Sequence, residues 1–109
     1  MEEMTLREIH LSIGVSRRAI QGYEKAKLVS ATGKTNRGHL LYDRFAQERI
    51  KKIKLFQDMG FSIKEIQIII DAPSEILKLA LVEHEKKLKE NLIHTNTMVS
   101  VIHEMLKTL

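Results

Sequence analysis

Residues 5–25 read Thr5-Leu6-Arg7-Glu8-Ile9-His10-Leu11-Ser12-Ile13-Gly14-Val15-Ser16-Arg17-Arg18-Ala19-Ile20-Gln21-Gly22-Tyr23-Glu24-Lys25. Thr5-Leu6-Arg7-Glu8 has the form of a capping box, with Thr5 as N-cap and Glu8 reaching back to its backbone. It predicts a first helix over Thr5 to Leu11, with Leu6, Ile9 and Ile13 on its buried side. Gly14 permits a tight turn. Ser16 then caps a second helix that runs to Lys25. Ile20 and Tyr23 share one face of that helix, while Arg17, Arg18 and Gln21 line another. Two short helices, a tight turn and a polar outer face on the second helix make a helix-turn-helix pattern. Ile9, Ile13, Val15 and Ile20 fit its internal contacts. Arginines at the start of the second helix can reach guanine edges or phosphates, and Gln21 can read adenine or bind a backbone oxygen.

The next segment runs through Leu28-Val29 to Thr32-Gly33-Lys34-Thr35-Asn36-Arg37-Gly38-His39, then Leu40-Leu41-Tyr42. Glycines beside a short apolar run predict a small two-stranded hairpin with a basic tip. Lys34, Arg37 and His39 lie on that tip. Contacts from such a tip to phosphates add affinity without reading sequence. A solvated turn would show the same residues.

Asp43 is placed to cap a third helix through Asp58, with Phe45, Ile53 and Phe56 expected in the core. Gly60 closes it. Ser62-Ile63-Lys64-Glu65 is a second capping box, and it opens a short helix containing Ile66, Ile69 and Ile70. Pro73 ends that helix because it disfavours the helical conformation in the residue before it. Ser74 is placed to cap the last helix.

From Ser74 to Leu109 there is neither glycine nor proline, which predicts one long helix. Steps of four and three select Leu81, Glu85, Leu88, Leu92, Thr95, Val99, Ile102, Leu106 and Leu109, of which seven of nine are apolar. That is a coiled-coil seam with two polar interruptions. The stripe can be covered by the first half of the same chain or by a second copy, and dimerisation is the favoured reading. Met98, Val101 and Met105 widen it near the end, so a face that broad is expected to touch the mate's N-terminal domain as well. The division expected is 1–72 for the first domain and 73–109 for a dimerisation helix.

Composition narrows the function class. The 109 residues carry a net charge of +4. Residues 1–60 hold 12 Lys/Arg against 7 Asp/Glu, and residues 61–109 hold 6 against 7, so the basic half is the candidate partner of a polyanion. No cysteine is present, which excludes disulfides, thiolate metal sites and a cysteine nucleophile. No apolar run approaches the roughly 18 residues of a membrane span. The first residues are acidic where a secretory signal would be basic. A cytoplasmic location is expected, with no membrane partner.

Gly14-Val15-Ser16, Ala19-Ile20, Tyr23-Glu24-Lys25 and Leu28-Val29 together resemble the opening of MerR-family transcription regulators. Gly38 and Tyr42 are similar to the wing motif found next in that family. Gln47-Glu48-Arg49-Ile50 with Ile53, then Met59-Gly60-Phe61-Ser62-Ile63-Lys64-Glu65-Ile66, resembles the second helix pair. The resemblance covers residues 4 to 71, and the final helix resembles that family's antiparallel dimerisation helix. It implies a mostly α fold: a winged helix-turn-helix with a two-stranded wing, a second helix pair and a long C-terminal coiled-coil helix. It implies a homodimer on double-stranded DNA at a pseudo-palindromic promoter site, spacer distortion and RNA polymerase as a further partner. By position, Ser16, Arg17 and Gln21 would face DNA, Tyr23 would lie near the backbone, and Tyr42 would contact phosphate.

The pattern departs from the family at two places. Gln21-Gly22 stands where Arg-Tyr is usual, and Gly38-His39-Leu40-Leu41-Tyr42 stands where Gly-Tyr-Arg-x-Tyr is usual. Two phosphate-binding arginines are therefore absent, and Arg17, Arg18, Lys34 and Arg37 are the candidates to compensate.

No catalytic constellation and no cofactor motif emerges, and His10, His39, His84, His94 and His103 show no metal-ligand spacing. Family members that sense metals through thiolates need cysteines. Drug-sensing members carry a further domain after the long helix, and none is expected after Leu109. A second class stays open: a helical interaction protein that binds a protein partner through its long helix, with DNA binding secondary or lost.

Overall fold

In the computed structural model, which describes residues 2–109, both capping boxes form. Helix α1 spans Leu6–Ile13, two residues beyond the expected end. The Thr5 hydroxyl accepts from the Glu8 N–H at 3.3 Å, and the Glu8 carboxylate accepts from the Thr5 N–H at 2.9 Å. Gly14 ends α1 in the left-handed region at φ 83°. An L side chain is strained there by about 1–2 kcal/mol. Helix α2 spans Arg17–Lys25, and the Ser16 hydroxyl accepts from the Ala19 N–H at 3.0 Å.

The end of α2 adopts a Schellman pattern. Leu28 N–H donates to the Tyr23 carbonyl and Lys27 N–H donates to Glu24, both at 2.9 Å. The left-handed position of this motif favours glycine, yet Lys27 occupies it at φ 61°. The side chains of Leu28 and Tyr23 are both buried, as the motif's usual apolar contact requires.

The wing differs from the expected hairpin by one strand. Strands β2 (Gly33–Lys34) and β3 (Leu40–Tyr42) pair antiparallel, with Gly33 opposite Leu41 and Lys34 opposite Leu40. The far edge of β3 is covered by β1 (Met4–Thr5), which places Met4 opposite Tyr42 and Thr5 opposite Leu41. The sheet order is therefore β1-β3-β2. Two residues carry no alternation pattern, so nothing local announced β1; it forms because β3 offers a free edge. Gln47, buried on the next helix, secures this corner by donating to the carbonyls of Glu2 and Tyr42, each at 2.8 Å.

Helix α3 spans Arg44–Met59 and is capped by Asp43, whose carboxylate accepts from the Ala46 N–H at 2.9 Å. Ala46, Gln47, Ile50, Ile53 and Phe56 form its buried face. Phe45 is not part of the core and is 72% exposed. It lies about 100° round the helix from Ala46, on the flank of the buried stripe. At the other end Gly60 is left-handed, and Phe61 folds back edge-on to Phe56 with ring centroids 5.8 Å apart. Helix α4 spans Ile63–Ile69 and buries Ile66 and Ile69.

Arg49 joins three parts of this unit. It donates to the Leu28 carbonyl and makes a fork to Asp71 at 2.8 and 2.7 Å. The Arg49 hydrogen bond holds the Asp71 carboxyl below its ordinary pKa, with desolvation opposing it.

The chain divides into two compact units, one ending at Asp71 and one comprising Ala72–Leu109. In the second, α5 runs from Ser74 to Lys107. Its 34 residues make it about 51 Å long. Ser74 does not cap it. Pro73 holds the N-cap position without a side-chain hydrogen bond, and its carbonyl receives the N–H groups of Ile76 and Leu77. Leu109 falls beyond the last helical residue, so the helical seam ends at Leu106. No residue of α5 is buried. No helix among the described residues is long and apolar enough to cross a membrane.

Candidate nucleic-acid interface

The helix-turn-helix is mounted on an apolar base. Ile9 of α1, Val15 of the turn and Ile20 of α2 are buried, as are Ile50 and Ile53 of α3. Burying Ile20 and Tyr23 turns the opposite side of α2 outward. Arg17, Arg18 and Gln21 are exposed there, and their side chains make no hydrogen bond or ion pair among the described residues. Ser16 is exposed too, but its hydroxyl oxygen is engaged as the α2 cap.

The wing tip is a turn over Thr35–Gly38. Gly38 N–H donates to the Thr35 carbonyl at 2.9 Å, and His39 N–H donates to the Thr35 hydroxyl at 3.1 Å. Gly38 takes φ 83°, which closes the turn. Lys34, Arg37 and His39 are exposed around it, and the two cationic side chains have no carboxylate partner among the described residues. One residue of each group, Arg17 and His39, lines an open cleft of about 280 Å³ together with Thr5, Leu6, Arg7 and Leu40.

Tyr23 and Tyr42 have another placement than the one expected. Both are buried, and both hydroxyls are engaged within the protein. Tyr23 donates to Gln57 Oε1 at 2.6 Å, which ties α2 to α3. Tyr42 donates to Glu24 Oε1, which ties β3 to α2. Burial pushes the Tyr42 hydroxyl well above the ordinary tyrosine pKa, and the hydrogen bond and charge of Glu24 push the same way. Burial raises Tyr23 as well, with the nearby Lys54 ammonium opposing and Asp58 adding to the shift. Both rings are therefore neutral donors that fix the angles between recognition helix, wing and support. In this structure both hydroxyls are turned inward, beneath the exposed residues of α2 and the wing.

The sequence alone does not single out Arg7, Glu24 or Gln57. Glu24 and Gln57 receive the tyrosine hydroxyls, and Arg7 enters the cleft because β1 anchors the start of α1 beside the wing. Only the pairing of distant strands brings Arg7 there, so no local pattern could have signalled it.

The second candidate surface is the apolar stripe of α5. Leu81, Leu88, Leu92, Val99, Ile102 and Leu106 are all exposed, from 37% at Leu81 to 62% at Leu92. Fourteen of the exposed large apolar side chains lie on Ala72–Leu109 and four lie before it, so the uncovered apolar surface is concentrated on this helix. Such a concentration marks an interaction surface. No group of side chains able to hold a metal ion occurs among the described residues.

Residues 4–73 match the model of the MerR HTH family of regulatory proteins. The nodulation protein NolA of Bradyrhizobium diazoefficiens is 28% identical over 98 residues, which cover 90% of this chain and 41% of NolA. The chain thus spans less than half the length of the nodulation proteins it matches, 41%, 33% and 30% in three cases. Among solved structures, a MerR-family transcriptional regulator from Bacillus cereus superposes with a TM-score of 0.87 at 26% identity, covering 98% of this chain and 82% of that one. MtaN, the N-terminus of the Bacillus subtilis multidrug transporter activator, superposes with a TM-score of 0.77 at 26% identity, covering 94% and 97%.

Proposed function

The chain belongs to the MerR HTH family of regulatory proteins, and from that premise we propose that it is a sequence-specific transcriptional regulator of double-stranded DNA. In this reading residues 1–72 bind DNA and residues 73–109 pair two copies antiparallel. The observation that carries it is the set of unpaired cations on α2 and the wing, Arg17, Arg18, Lys34 and Arg37, held on a rigid base. The α2 residues Arg17, Arg18 and Gln21 enter the major groove, and Lys34, Arg37 and His39 of the wing meet the flanking backbone.

Two copies joined through α5 match a pseudo-palindromic site, because the symmetry of the dimer is repeated in the DNA. Distortion of a promoter spacer then controls RNA polymerase, and sequence at untouched positions matters through its cost of deformation. One observation favours a second reading, a helical interaction adaptor. Gln21 and Leu40 stand where arginines are usual in the family, and Tyr42 keeps its hydroxyl for Glu24.

Arg17→Ala and Arg37→Ala distinguish the two. Each is expected to weaken binding to duplex DNA in an electrophoretic mobility shift at moderate salt, and each leaves the sedimentation coefficient unchanged. If neither substitution changes affinity, the DNA face is assigned wrongly.

A further inference from the structure

We propose that Arg7 is a DNA-backbone contact, and that the cleft between α1, α2 and the wing seats the phosphate strand that runs between the two grooves. This rests on the function proposed above and adds a residue and a path to it. With the outer face of α2 in the major groove and the wing on the flanking backbone, the two stand on either side of a sugar-phosphate strand. That strand has to cross whatever lies between them. Here the space between them is the cleft lined by Thr5, Leu6, Arg7, Arg17, His39 and Leu40.

Three features fit this cleft to a phosphate. Its lining holds two arginines and a histidine and no carboxylate. The nearest acidic neighbour in sequence, Glu8, has its carboxylate hydrogen-bonded to the Thr5 backbone N–H at 2.9 Å, in the capping box. The Arg7 side chain is exposed and makes no hydrogen bond or ion pair among the described residues. By contrast, the half-buried Arg49 is engaged by the Leu28 carbonyl and the Asp71 carboxylate.

The position of Arg7 is set by the sheet and not by chance orientation of a surface helix. Thr5 is both the N-cap of α1 and the partner of Leu41 in β3. The first turn of α1 therefore starts at the edge of the wing, with Arg7 two residues further on. From its own strands the wing contributes to the cleft only apolar Leu40 and the neighbouring His39 ring. The fixed positive charge there comes from Arg7 and Arg17, one from each helix. A guanidinium can grip a phosphate with two parallel hydrogen bonds, which suits an open cleft of this kind.

The test uses the full chain, a fluorescent mixed-sequence DNA duplex and anisotropy titrations over a range of salt. For a dimer that loses two phosphate contacts, Arg7→Ala is expected to reduce the slope of log affinity against log salt by about 2. Affinity at moderate salt falls roughly tenfold. Arg7→Lys keeps the charge and therefore the slope. Lys86→Ala, an exposed site on α5, removes the same charge from the protein and leaves the slope unchanged. If Arg7→Ala keeps the wild-type slope, or Arg7→Lys loses as much slope as Arg7→Ala, the cleft seats no phosphate. If Arg17→Ala still weakens binding in that case, the proposed function survives and only this inference falls. If the unmodified protein does not bind the duplex at low salt, both fall.

Discussion

Leu92→Glu is expected to separate the two copies and to lower DNA affinity by a factor of about 10²–10⁴, the loss incurred when two linked half-site contacts become independent. Leu92 lies in the middle of the α5 stripe, between the polar interruptions Glu85 and Thr95, and it is 62% exposed in the single chain. Leu88 and Leu92 are the apolar seam positions between those interruptions. In a pair of helices, glutamate at that point would have to lose water without a partner, and an unpaired buried carboxylate is among the costliest changes an interface can suffer. In an isolated helix the same substitution replaces one exposed side chain by another, and glutamate favours the helix. The fold of the first unit is untouched in either case. Sedimentation therefore reads the change directly. A monomer with weak DNA binding is the expected result, and an unchanged dimer would mean that the seam lies on another face of α5.

Ile20→Ala is expected to cost about 2–5 kcal/mol, the range for truncating a fully buried isoleucine. Ile20 has no exposed surface and lies on the inner face of α2. A domain of this size has roughly 5–15 kcal/mol of stability in all, so the variant approaches unfolding. The thermal midpoint should fall by on the order of 10 °C or more. No group on the outer face is altered. At low temperature, where the fold persists, Ile20→Ala should bind DNA with the salt slope of the unmodified protein. A lost slope in the folded variant would mean that Ile20 does more than support Arg17 and Gln21.

Much of the first unit was legible because its signals are local. Thr5 with Glu8, Ser16, Asp43, and Ser62 with Glu65 each cap the helix they precede, and each cap is complete within four residues. Gly14 and Gly60 end helices in the left-handed region, where their lack of a side chain is needed. The features that were not legible depend on distant residues. Phe45 reads as core by its chemistry, but its angle round α3 leaves it outside. Strand β1 exists only because β3 has an edge to fill. The family resemblance puts Tyr23 near the DNA backbone and Tyr42 on phosphate, whereas the hydroxyl partners in this structure, Gln57 and Glu24, lie 34 and 18 residues away. Ser74 looked like a cap, yet the carbonyl of Pro73 was sufficient to start α5.

The same distinction applies to the interface. Arg17, Arg18, Gln21, Lys34, Arg37 and His39 could be named from their places on a helix face and a turn. Arg7 could not, since its neighbours in the cleft come from the wing and from α2. With leucine at position 40, the fixed positive charge of the cleft comes from Arg7 of α1 and Arg17 of α2.

The central claim is that this chain grips duplex DNA through the outer face of α2 and the wing. A titration of the unmodified protein against a sequence selected from a random DNA pool and against mixed-sequence duplex, each across a range of salt, tests it most directly. Affinity for both duplexes should fall steeply as salt rises, and the selected sequence should bind at least about 10³-fold more tightly than the mixed one. Equal affinity for both duplexes, or binding that does not respond to salt, would contradict it.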